Sequence, residues 1–81
     1  MELYMSEIGF NNVWLTDRDV YKILYLSIIK GLLPSEIEPQ FPVSKGTIRN
    51  IVKGKSRKEC YFAFTEYIEN NPREKVMTLF E

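Results

Sequence analysis

A chain of 81 residues that is 44% hydrophobic and 14% aromatic is too apolar to stay disordered and long enough for one small domain with a modest core. It has no histidine and a single cysteine, Cys60, which removes the commonest general base, the commonest metal ligand and any intrachain disulfide. Eleven basic and eleven acidic side chains cancel, and the longest near-continuous apolar run, Ile23 to Ile29, falls far short of a bilayer span.

Residues 1–14 have no clean period. They read as an N-terminal arm whose Leu3, Tyr4, Ile8, Phe10 and Trp14 rest on the core, with Trp14 as a partner anchor the lesser alternative. Leu15-Thr16-Asp17-Arg18-Asp19-Val20 is a helix start. Thr16 caps it, Asp17 and Asp19 complement the dipole of the first turn, and Leu15 staples to Val20. This first helix runs to about Lys30 and stops at Gly31. Val20, Ile23, Leu24 and Ile28 form its core stripe. Tyr21, Tyr25 and Ile29 form a second stripe, to be covered by a terminal segment or by another subunit.

Pro34 opens a second, shorter helix, where its missing amide costs nothing, and Pro39 cuts that helix short. Ser44 caps the third helix, and Gly54 closes it. Ile48, Ile51 and Val52 fall on its inner side, while Gly46, Arg49, Asn50 and Lys53 face outward with Thr47 on the flank. Ser56-Arg57-Lys58-Glu59 has the form of a capping box opening a fourth helix. Cys60, Tyr61, Phe64, Tyr67 and Ile68 share one broad face of it, and Asn70-Asn71-Pro72 ends it. Residues 73–80 add a last helical turn or two. An exposed Phe62 would be a partner contact; a buried one would mean a closely packed tail.

The charge is uneven although its sum is zero. Residues 45–58 carry Lys45, Arg49, Lys53, Lys55, Arg57 and Lys58 with no acid among them, whereas the segment after them and the first nineteen residues are acidic. One basic patch on an otherwise acidic surface suits oriented binding of a polyanion. A short amphipathic helix with small and hydrogen-bonding residues outward is what reading DNA requires. Gly46 and Thr47 permit close approach, and Arg49 and Asn50 can reach base edges or phosphates.

The order of these elements, with Leu15-Thr16, Asp19-Val20, Glu36-Ile37, Phe41, Val43-Ser44, Thr47-Ile48, Ile51 and Gly54-Lys55, resembles a helix-turn-helix. It looks like the small domain of phage regulators, resolvase C-termini and nuclease-associated modules, over roughly residues 15–58. The resemblance implies that Lys45, Gly46, Thr47, Arg49 and Asn50 read DNA, and that Ser44, Lys53, Lys55, Arg57 and Lys58 hold phosphates. Three positions depart from the pattern: Glu38 replaces a small residue, Pro39 follows inside the helix, and Pro42 replaces the glycine of the turn.

The resulting expectation is an all-α single domain: an N-terminal arm (1–14), a helix-turn-helix core of three helices (15–55) and a C-terminal helical segment (56–81). Its partner would be double-stranded DNA. One recognition helix contacts few base pairs, so a homodimer is expected, joined through the faces of Tyr21, Tyr25, Phe62 and Tyr67. A host or phage protein bound by a degenerate helix-turn-helix is the alternative. No cofactor, metal or enzymatic activity is expected, because Ser35, Ser44 and Ser56 lack a base and the acidic pairs 17/19 and 36/38 split between helix faces. No secretory leader is recognisable, which together with the missing span makes the expected compartment cytoplasmic, without membrane contact.

Overall fold

The structure is a computed structural model, and it describes residues 15–81; the expectations for the arm and for Trp14 lie outside these. Five α-helices and no strand occur among the described residues: α1 (Asp17–Leu24), α2 (Pro34–Ile37), α3 (Lys45–Val52), α4 (Lys58–Asn70) and α5 (Arg73–Phe80). The architecture is all-α, as the periodicity implies. The core gathers Leu15, Val20, Ile23, Leu24 and Tyr25 from the first segment, Ile37 from α2, Ile48 and Ile51 from α3, Cys60 and Phe64 from α4, and Val76 from α5.

Local chemistry sets the helix ends. The Thr16 hydroxyl accepts from the Asp19 amide at 3.1 Å, and the Asp19 carboxylate accepts from the Thr16 amide at 3.1 Å, so the start of α1 is a reciprocal capping box. Leu15 and Val20, the staple, are both buried. The helix continues beyond Leu24 as a π-helical turn, Tyr25–Ile29, and ends where Gly31 takes a φ of +74°. That wider turn shifts the phase of the side chains. Ile28, expected on the core stripe, is turned outward and is 39% exposed.

Proline shapes the next segment as expected. α2 is four residues long, a 3-10 turn Glu38–Gln40 follows around Pro39, and Phe41 is extended at φ −137°. None of the residues between α2 and α3 has a positive φ, so the turn is made without the left-handed glycine of the usual pattern, which Pro42 could not supply.

Two further expectations fail. Ser56 does not cap α4: the residue before that helix is Arg57, in the left-handed region at φ +53°, and no side chain caps the helix start. The Ser56 amide instead follows the end of α3, bonding the Asn50 carbonyl at 3.3 Å, and this sets the chain one residue out of the frame that the box needs. Tyr25 is no partner surface. It is 2% exposed, stacked on Phe80 with ring centroids 4.6 Å apart, and its hydroxyl donates to the Glu81 carboxylate. The cover of Tyr25 is thus α5 of the same chain. Arg73 donates to the Ile29 carbonyl at 2.8 Å, and Lys30 meets Glu81 at 3.1 Å, tying both ends of α5 to the end of the first helix.

Candidate nucleic-acid interface

Helix α3 is held from one side only. Ile48 and Ile51 are essentially fully buried, and Val52 is half-buried beside them. Its start is fixed by Ser44, whose Oγ accepts from the Thr47 amide at 3.3 Å and lies 3.2 Å from the Thr47 hydroxyl. Its end is fixed by a Schellman motif. The Lys55 amide reaches the Asn50 carbonyl at 2.9 Å, the Gly54 amide reaches the Ile51 carbonyl at 3.0 Å, and Gly54 takes a φ of +75°. Anchored at both ends and along its inner stripe, the helix leaves Lys45, Gly46, Thr47, Arg49, Asn50 and Lys53 exposed, and Ser44 precedes them on the same surface.

Gly46 has no task inside the fold. A Cβ built there would meet only the Ser44 hydroxyl oxygen, at 3.8 Å, and no positive φ requires glycine. Gly54 differs, because a Cβ there would stand 3.0 Å from the ring of Tyr61 in addition to the strained φ.

Five of the six cations of the basic stretch, Lys45, Arg49, Lys53, Lys55 and Lys58, are exposed. The sixth is directed inward. One guanidinium nitrogen of Arg57 donates to the Leu15 carbonyl at 2.8 Å and another to the Asp17 carboxylate at 2.5 Å. Arg57 therefore clamps the loop after α3 to the start of α1, and its charge is compensated. The Cys60 thiol donates to the same carboxylate at 3.5 Å. Burial first, and then this carboxylate, push the thiol above its ordinary pKa, so it is a protonated core group rather than a nucleophile. The Asp17–Arg57 contact is absent from the sequence reading; no local pattern links residues 40 apart.

Beside the start of α3 lies an open cleft of about 540 Å³ lined by Glu38, Phe41, Pro42, Val43, Ser44 and Thr47. Glu38 is the one acidic side chain of its lining. The other predicted contacts separate. Tyr21 and Tyr67 are half-buried and line a groove formed by α1, α4 and α5, away from α3. Phe62 is 64% exposed on α4. The sequence reading missed Leu79 and Phe80 as groove residues, although Val76 and Phe80 stand at helical spacing. No group of three or more potential metal ligands occurs among the described residues, and none of their helices is long and apolar enough to cross a membrane.

Fold and site together define a small all-helical domain with one polar, basic helix face. No protein family, curated protein or solved structure matches the chain.

Proposed function

We propose that this domain binds double-stranded DNA, laying the outer face of α3 against a groove and the loop after it along the phosphates. The observation that carries the reading is the composition of that face. A helix anchored by Ile48 and Ile51 turns outward only small, hydrogen-bonding and cationic residues, including a glycine that the fold does not need. In this reading Gly46 and Thr47 allow close approach, Arg49 and Asn50 reach base edges, and Lys45, Lys53, Lys55 and Lys58 hold phosphates. Ser44 contributes through its cap, which presents the α3 amides. Arg57 leaves the phosphate set and becomes the strut of the loop. Such a protein would serve as a phage or prophage transcriptional regulator or a recombination accessory factor.

The test is a fluorescence-anisotropy titration of a random duplex at several salt concentrations. With Lys45, Lys53, Lys55 and Lys58 each neutralising a phosphate, the log–log slope of affinity against salt is about −3.6. Absence of binding at low salt would overturn the reading. The exposed Phe62 supports a second one, in which α4 docks on a host or phage protein. Then Phe62→Ala would abolish activity and Arg49→Ala would not.

A further inference from the structure

The groove between α1, α4 and α5 has a layout that names its occupant. Its floor is apolar, formed by Tyr21, Phe64, Tyr67 and Phe80, and it encloses about 290 Å³. Leu79 rises from its wall and is 63% exposed, a large aliphatic side chain left in water beside an apolar hollow. The two flanks differ in sign. On the α1 side, the surface continues from Tyr21, Leu79 and Phe80 to Arg18 and Lys22. On the α4 side, it continues from Ala63 and Tyr67 to Glu66. All three charged residues are exposed.

We propose that this groove is a homodimer interface, occupied by the same groove of a second copy. A two-fold axis running along the groove superposes one flank of a copy on the opposite flank of the other. Arg18 and Lys22 of each copy then meet Glu66 of its partner, twice over, and each Leu79 enters the hollow facing it. A patch that carries a knob, a hole, a cationic rim and an acidic rim is complementary to itself. An axis across the groove would place cations against cations, so the charges also select the orientation. No residue of the groove belongs to α2 or α3, and the outer face of α3 stays uncovered.

The experiment is sedimentation equilibrium of the full chain without nucleic acid, which keeps the result independent of the DNA reading. The wild type is expected to be a dimer, and Leu79→Arg a monomer with an unchanged helical circular dichroism spectrum. Because Leu79 is exposed, the substitution leaves the core intact. Lys22→Glu and Glu66→Lys are each expected to weaken the dimer several-fold, since rim pairs contribute modestly, and the double exchange to restore it. A wild type that stays monomeric up to about 100 µM, near the weak end of specific association, would overturn the proposal. So would a dimer that persists in Leu79→Arg, or a double exchange that adds the two losses instead of cancelling them.

Discussion

The outer face of α3 and the groove of α1, α4 and α5 are two surfaces that the core leaves unexplained, and they are opposites. On α3, Ile48 and Ile51 are buried and the outward positions are polar or cationic. At the groove, apolar side chains from three helices converge and Leu79 still projects into solvent. A polar, cationic surface of the first kind gains on a polyanion mainly by releasing condensed counterions. The second gains mainly by burying carbon. A domain of this size therefore has room for two kinds of contact, one suited to a polyanion and one to a protein surface like itself.

The sharpest way to break the comparison is to loosen the anchor of α3. Ile48→Ala removes a fully buried side chain at the junction of α3 with the core and is expected to cost about 3 kcal/mol in denaturant unfolding. A loss under about 1 kcal/mol would mean that α3 is not held as described. Next comes Gly54→Ala, which sets an alanine at φ +75° against the Tyr61 ring and is expected to cost roughly 1–2 kcal/mol.

The alkaline limb of stability probes the other half of the molecule. Burial, and then the Glu81 carboxylate, hold the Tyr25 hydroxyl up at a pKa of about 12, above its ordinary 10.0. The folded state thus keeps a proton that the unfolded chain releases. Stability from this group is complete below pH 10 and is lost as pH rises toward 12. Tyr25→Phe, which retains the stack on Phe80, is expected to flatten the fall of Tm over that window. Some slope remains, because burial also raises the Tyr21 hydroxyl and the Cys60 thiol. An unchanged slope would remove Tyr25 from the account of the α5 dock. The smallest effect on folding is expected for Gly46→Ala: no loss of stability, since the added methyl meets only the Ser44 hydroxyl oxygen at an ordinary contact distance, yet weaker binding of duplex DNA. Equal affinity would mean that α3 does not approach DNA at Gly46.

What could be read from the sequence was local. Thr16 and Ser44 cap their helices, Gly31 and Gly54 close theirs, and Pro39 truncates α2, because each acts within a few residues. The inward and outward sides of α3 follow from the same short-range spacing. Misreadings fell where distant residues decide. Tyr25 is claimed by Phe80 and Glu81, and Arg57 by Asp17, across 56 and 40 positions of sequence for Glu81 and Asp17. Ser56 loses its cap role because the N-cap position falls one residue later, on Arg57 in the left-handed region. Ile28 is displaced by a π-helical turn that its own apolar spacing does not announce.

The two-surface account is tested most directly by mapping amide chemical shifts of the labelled full chain as a random duplex is added at low salt. Shifts are expected at Lys45 to Lys53 and at Lys55 and Lys58, with Ala63, Tyr67 and Leu79 unmoved. Shifts centred on the groove instead, or none anywhere, would contradict it.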